Sequence, residues 1–297
     1  MRMLQLHYFK VLAEEQHLTR AAESLFISPP ALSTCITRLE KELDFKLFDR
    51  AGRNIYLNSN GKIFYKHVKN IFASMDDALC EINKVNSLDK HSINLGVSAL
   101  TLWSDPITSY YNLHPGVSIN HTSLKLDEIQ NSEIINRFDL IITALNDINT
   151  NEWEYAIVVP KDIPVLVVYP NHPFAKLKEI SLIEAKDEPF IALTKGYSSR
   201  KYFDETCELA GFTPRIIVEG DYPLRTQMVE AGYGITFSTV IGSKAPILKG
   251  LKYVEIKSPQ NIRVQAIFWR KGRKLSPEAK SFQNFMINYY KDYQAIL

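Results

Sequence analysis

Leu18–Glu40, LTRAAESLFISPPALSTCITRLE, reads as two short helices joined by a tight turn. Thr19 is the expected N-cap of the first helix, and the small pair Ala21-Ala22 lets another helix cross closely. The chain turns at Ile27-Ser28, where Ser28 is placed to cap the next helix and Pro29 falls where a missing N–H costs nothing. On that second helix Leu32, Ile36, Leu39 and Leu43 recur at spacings of four, three and four, one apolar stripe aimed at a core. The opposite face carries Pro30, Ser33, Thr34, Thr37 and Arg38. These short hydroxyls and methyls with one guanidinium suit base edges and phosphates. A second helix presented in this way is the recognition element of a helix-turn-helix.

Outward from this stretch, residues 3–15 form an amphipathic helix with Leu6, Phe9 and Leu12-Ala13 facing the same core. Lys46 to Asn60 reads as strand, turn and strand, with Arg50-Ala51-Gly52-Arg53-Asn54 at the tip and Ile55-Tyr56-Leu57 returning. From Lys62 to about Asn86 runs a helix free of Gly and Pro. In it Phe64, Val68, Ile71, Met75, Ala78, Ile82 and Val85 alternate at spacings of four and three. Such a heptad seam pairs with a second helix, and no partner of equal length lies nearby, so a homodimer is expected. Two copies of the head would then read two half-sites about one DNA turn apart.

The order and spacing of Phe9, Val11, Ala21-Ala22, Leu25, Ser28, Pro30-Ala31, Ser33, Ile36, Leu39-Glu40, Leu47-Phe48, Arg50, Arg53, Leu57 and Gly61 resemble the winged helix-turn-helix of the LysR-type transcriptional regulators. The stretches HPGV, YPNHPFA and MVEAGYGITF are similar to the effector domain of the same family. The chain departs from the pattern at Pro29, where a polar residue is usual, and at Thr34, where a long basic or amide side chain is common. Asp44 stands where a Gly is usual, and Asn58 replaces a Thr. The resemblance implies an α/β protein: a winged helix-turn-helix over residues 1–61, a dimerisation helix and hinge over 62–90, and a two-lobed effector domain over 91–297 that resembles periplasmic binding proteins. Lobe I would comprise about 91–161 and 267–297 and lobe II about 162–266, with crossings near Val159–Ile163 and Gln265–Phe268. The partners it implies are double-stranded DNA, a small-molecule effector, further copies up to a tetramer, and RNA polymerase. Arg50 and Arg53 would reach phosphate or the minor groove from the wing tip, and Thr19 and Ser28 lie beside the recognition helix.

The pattern after residue 91 suits that architecture. Strands at Ser92–Val97, Val117–Ser123, Asp139–Ala144, Val165–Phe174, Phe190–Leu193, Ile216–Val218, Gly234–Phe237 and Val264–Trp269 alternate with helices at 104–113, 199–210, 223–231 and 277–290, which predicts largely parallel sheets. Open α/β sheets bind ligands beyond the carboxyl ends of their strands. Three segments sit there: Ser98 to Thr101 with Leu100, then Ala144 to Asn146, and Lys195-Gly196-Tyr197-Ser198. Two of them open helices whose N-termini favour an anion. Plain helix capping is an equal reading of any one of these hydroxyls.

The 297 residues, 45% of them hydrophobic, are enough for two or three domains with cores. Eleven Lys/Arg stand against seven Asp/Glu in residues 1–70, while the remainder carries 24 against 26; the excess at one end suits a DNA-binding head. No apolar run spans a membrane and no signal-peptide pattern opens the chain, so a cytoplasmic protein is expected. Cys35, Cys80 and Cys207 are far apart and read as inert thiols; no metal or other cofactor is expected. Paired catalytic carboxylates, phosphate loops and nucleophile elbows are lacking, so an enzyme is not expected. The reading is a sequence-specific DNA-binding regulator controlled by a small anionic effector. The alternatives are an effector-independent regulator and, against the grain of the N-terminal head, a solute-binding protein.

Overall fold

The computed structural model describes residues 1–51, 54–86, 91–243 and 250–291, and divides into two compact units, Met1–Asn83 and Lys84–Leu297.

In the first unit α1 (Met3–Glu15), α2 (Leu18–Ser24) and α3 (Pro29–Leu43) precede a two-stranded wing, β1 (Phe48–Ala51) antiparallel to β2 (Asn54–Leu57), and then the long α4 (Ser59–Asn86). The stripe expected on α3 holds: Leu32, Ile36 and Leu39 are buried with Phe9, Leu12, Leu47 and Val68. Phe9 lies fully inside, its ring 5.4 Å from that of Phe48 and 5.1 Å from that of Phe64. Ala21 and Ala22 are completely buried, so these small residues sit where helices cross. Ser28 caps α3, accepting from the Ala31 amide at 3.4 Å. Thr19 does not cap α2; His17 does, its Nδ1 accepting from the Arg20 amide at 3.4 Å. An imidazole acceptor does the work usually given to Ser, Thr, Asp or Asn, and Thr19 stands exposed inside the helix. Asp44, in the place of the family's Gly, ends α3 in the left-handed conformation at φ 61°, which Asp tolerates better than most side chains.

The second unit holds two sheets. The first contains β3 (Ser92–Val97), β4 (Ser118–Ser123), β5 (Leu140–Ala144), β6 (Trp153–Asp162) and, from the far end of the chain, β13 (Arg263–Arg270). Their order is β4-β3-β5-β13-β6, with β3 parallel to β4 and β5, and β13 antiparallel to both neighbours. The second sheet has order β11-β7-β12-β8, from β7 (Pro164–Val168), β8 (Glu179–Ser181), β11 (Thr236–Thr239) and β12 (Lys252–Ser258). The parallel pair β9 (Pro189–Leu193) and β10 (Arg215–Gly220) joins it through a bridge from Phe190 to Ile235. The sheets are therefore mixed rather than largely parallel, because β13 and β7 each run against both neighbours. Both faces of each sheet are covered. In β5, Leu140 and Ile142 enter one core with Trp103, Phe282 and Met286, while Ile141 enters another with Phe138 and Phe268. In β7, Leu166 and Val168 face one side and Val165 and Val167 the other.

Helices α5 (Leu100–Leu113), α6 (Leu126–Gln130), α7 (Ser132–Ile135), α8 (Ser198–Leu209), α9 (Tyr222–Glu230), α10 (Val240–Ser243) and α11 (Pro277–Tyr289) complete the unit. α5 begins four residues before its expected start, so Pro106 stands inside it rather than opening it. Proline there removes the amide that would bond the Leu102 carbonyl; the Tyr290 hydroxyl donates to that carbonyl instead, at 3.4 Å. The chain passes between sheets at 162–164, as expected. It returns between Ser258 and Arg263, not near Gln265–Phe268, which pair with Ala144–Ile141 in the middle of the first sheet.

Candidate DNA-reading face and effector seat

On the head, Thr34, Thr37 and Arg38 are exposed on α3 with Pro30, and Ser28 stands exposed at its start. The Thr34 hydroxyl donates to the Pro30 carbonyl at 2.9 Å, which leaves its oxygen lone pair and methyl outward. Ser33 and Thr37 line a groove of about 310 Å³ between α3 and the wing, with Lys46 and Asp49. The Arg50 backbone lies in β1, but its side chain and the whole of Arg53 lie outside the described residues. One residue that sequence reasoning had not singled out for a role fixes this geometry. Glu40, buried on α3, accepts the Leu47 amide at 2.8 Å, the Phe48 amide at 3.4 Å and the Lys46 ammonium at 2.7 Å. It ties the recognition helix to the root of the wing.

On α4 the expected seam divides. Val68 is fully buried and Phe64 half-buried in the head's own core, so these two do not belong to a free face. Ile71, Met75, Ala78 and Ile82 are exposed, and Leu79 with them.

In the second unit the two sheets meet around a cluster of buried polar side chains. Asp147, just beyond β5, accepts from the Thr143 hydroxyl at 2.5 Å and from the Ser198 hydroxyl, at the start of α8, at 2.5 Å. Arg263, the first residue of β13, donates to the Ser198 hydroxyl and lies 3.6 Å from the Asp147 carboxylate. Its guanidinium stacks over the Tyr202 ring at 5.2 Å. Behind it Asp162, wholly buried at the end of β6, accepts the Ile241 amide at 3.1 Å and the Gln265 amide group at 3.2 Å. Burial raises the Asp162 carboxyl above the ordinary carboxylate value, and burial likewise pushes the Tyr202 hydroxyl up.

The sequence-predicted residues distribute unevenly around this cluster. Ser198 is in it. Ser98 and Ala144 are buried at the ends of β3 and β5, and Thr101 is half-buried in the first turn of α5. The side chain of Leu100 lies outside the described residues, and Asn146 is exposed. Lys195 and Tyr197 line an outer groove with Leu126 and Asp204, where the Gly196 carbonyl accepts the Leu126 amide at 2.8 Å. Arg263, Asp147 and Asp162 were missed. Asp147 lies one residue beyond a named segment, but nothing local marks Arg263 as its partner.

Asp162 predicts a pH dependence. Because its folded value is raised, the protonated form favours the folded state, and this stabilisation is complete below the unfolded value of 3.8. It is lost as pH rises through the raised value. Asp162→Asn should remove that component, so that the urea midpoint of the variant falls less than that of the parent between pH 4 and neutrality. Parallel pH profiles would show that Asp162 does not titrate in this way.

Cys207 is buried and its thiol is pushed up to about 12, which removes the thiolate that reactivity needs. Among the described residues, no group of three or more His, Cys, Asp or Glu is placed to hold a metal, and no helix is long and apolar enough to cross a membrane.

A winged helix-turn-helix head and a two-sheet body with a polar seat between its sheets define a DNA-binding regulator with an effector domain. The family description "Bacterial regulatory helix-turn-helix protein, lysR family" matches residues 3–62 and "LysR substrate binding domain" matches residues 87–291. The chain belongs to the LysR family of transcriptional regulators. It is 34% identical to the uncharacterized HTH-type transcriptional regulator YybE of Bacillus subtilis, over 97% of this chain and 99% of that one. It is 30% identical to the transcriptional dual regulator GltC of the same organism, over 98% of each. Full-length BenM shares the fold with a TM-score of 0.57 at 23% identity, over 99% of this chain and 98% of that one. HinK of Pseudomonas aeruginosa does so with a TM-score of 0.54 at 23% identity, over 96% and 97%. The protein is thus a transcriptional regulator, not an enzyme, with a DNA-binding head and an effector-binding domain.

Proposed function

We propose that this regulator works in the cytoplasm and reads its operator with Thr34, Thr37, Arg38, Pro30 and Ser33 of α3. Thr19 and Ser28 lie on the flanking backbone, and Arg50 and Arg53 reach from the wing. Its signal is a small anion that takes the place of the Asp147 carboxylate on Ser198 and Arg263, with Ser98, Thr101, Ala144 and Asn146 as further proposed contacts. The observation that carries this reading is the Asp147–Ser198–Arg263 cluster. It is a seat for a carboxylate made from both sheets, with a guanidinium suited to recognising one. An anion that displaced Asp147 would change the contact between the sheets, a population shift of the kind that moves DNA-binding heads. The same cluster favours a second reading, in which Asp147 satisfies the seat permanently and the body serves assembly alone.

Fluorescence anisotropy on the protein's own upstream DNA, over a salt series with random-DNA controls and a panel of small carboxylates and phosphates, separates the two. Preference for the upstream DNA that shifts with one anion supports the first. Preference that no anion shifts supports the second, and no binding at low salt defeats both. In the same assay Thr34→Ala should relax preference between sequences without weakening binding to random DNA.

The exposed seam of α4 is the proposed homodimer contact, through Ile71, Met75, Ala78 and Ile82; assembly to a tetramer and contact with RNA polymerase belong to the same reading. Ile71→Glu places a charge in the seam and should give a monomer by light scattering at concentrations where the parent is dimeric. An unchanged mass would move the dimer contact elsewhere.

A further inference from the structure

Arg225, on α9 in the second lobe, is a buried charge that the seat between the sheets does not use. Its side chain is 4% exposed. One terminal nitrogen donates to the Phe237 carbonyl at 3.2 Å, and the guanidinium lies 4.9 Å over the Tyr222 ring. Its Nε is buried with no hydrogen-bond partner. Among the described residues no carboxylate stands within ion-pair distance of it. The neighbouring buried Arg200 shows the contrast: it is held by Asp204 at 2.9 Å, Glu219 at 2.8 Å and the Leu193 carbonyl at 2.7 Å. Both arginines border one small cavity, about 10 Å³, room for a single water-sized group, which Ser199, Thr236 and the end of β9 enclose. The Thr236 hydroxyl is committed to the Ile191 carbonyl at 2.6 Å. The Ser199 hydroxyl accepts from Tyr222 at 3.4 Å, so its own proton is available to a guest. Ser199 also stands in the first turn of the twelve-residue α8, whose N-terminal dipole favours negative charge.

A guanidinium keeps its proton at any accessible pH, and an isolated buried charge is costly unless a counter-charge meets it. We propose that this cavity is a site for one small monovalent anion, a halide ion or a single carboxylate oxygen, bound by Arg225 and Ser199 inside the second lobe. It is separate from the seat between the sheets, which uses Asp147, Ser198 and Arg263, and it does not depend on that reading. Two sources share this chemistry: a free inorganic anion, or the acid group of an organic ligand.

The test is thermal unfolding of the full chain in sodium chloride, bromide, acetate and sulfate at matched ionic strength, for the parent and Arg225→Met. General salt effects act on both proteins alike. A saturating rise in the parent's melting temperature with halide, absent from the variant, establishes the site for an inorganic anion. The same rise with acetate above halide assigns it to a carboxylate. Arg225→Met is expected to fold, since it removes a buried charge and keeps an apolar stem of similar length. Identical responses of the two proteins to all four salts would overturn the proposal. Should the methionine variant fail to fold, Arg225→Lys decides: a saturating response whose midpoint moves at least threefold supports the site, and an unmoved midpoint or no response overturns it.

Discussion

Arg263→Met is expected to lower the stability of the body by about 3–5 kcal/mol, the usual result of removing one member of a buried ion pair. Arg263 and Asp147 are each less than a tenth exposed. Without the guanidinium, Asp147 keeps two hydroxyl donors but loses its ion-pair partner, and the wholly buried Asp162 loses a positive charge that favours its ionised form. The loss should appear as a lower urea midpoint at unchanged slope, and any anion response in DNA binding should vanish with it. Asp147→Asn alone removes the competing charge and leaves Arg263 free, so it should sharpen the anion response. The double variant should recover part of the stability lost by Arg263→Met, a coupling that only residues in contact show. If Arg263→Met unfolded within about 1 kcal/mol of the parent, the pair would not be acting as a buried ion pair at all.

Gly61→Ala is expected to cost the head about 3 kcal/mol or more. The first turn of α4 crosses the root of the wing so closely that a Cβ at Gly61 would lie 2.0 Å from the Leu47 carbonyl oxygen and 2.8 Å from a Leu57 methyl. The oxygen cannot yield freely, because the Asn58 amide bonds to it at 3.0 Å. Asn58 in turn accepts the Gly61 amide at 2.9 Å. The methyl group therefore has to displace a helix start or a strand. DNA binding should fall on specific and random sequences together, while the melting of the body stays unchanged. Normal DNA affinity in this variant would mean that α4 can shift without loss.

The head was legible because its determinants are local: Leu32, Ile36 and Leu39 at helical spacing, the Ser28-Pro29 start, and alternating residues around a short tip. Thr19 misled because it has the commonest capping chemistry, while His17 caps with a ring nitrogen that the residue type does not advertise. Pro106 misled in the same way, since proline is most at home in a first turn. Its tolerance inside α5 rests on Tyr290, 184 residues away. β6 escaped notice because Pro160 and its charged neighbours look unlike a strand, as is common at the edge of a sheet. The polar seat was half legible. The hydroxyl at Ser198 follows from the motif, but Asp147, Ser198 and Arg263 meet only through topology, and no spacing in one dimension encodes that.

The place of β13 bears on how the chain is made. It lies between β5 and β6, yet about a hundred residues separate it from β6 in translation order. At roughly 5–20 residues per second, the ribosome exposes β3 to β6 for several seconds before their central strand exists. The second sheet, from β7 to β12, is encoded without interruption and closes on itself in that interval. A nascent chain stopped before Arg263 therefore carries one finished lobe and one unfinished lobe with bare edges on β5 and β6, a template for pairing with other chains. Synthesis of this regulator has a vulnerable window, and it ends only when Arg263–Arg270 has been read.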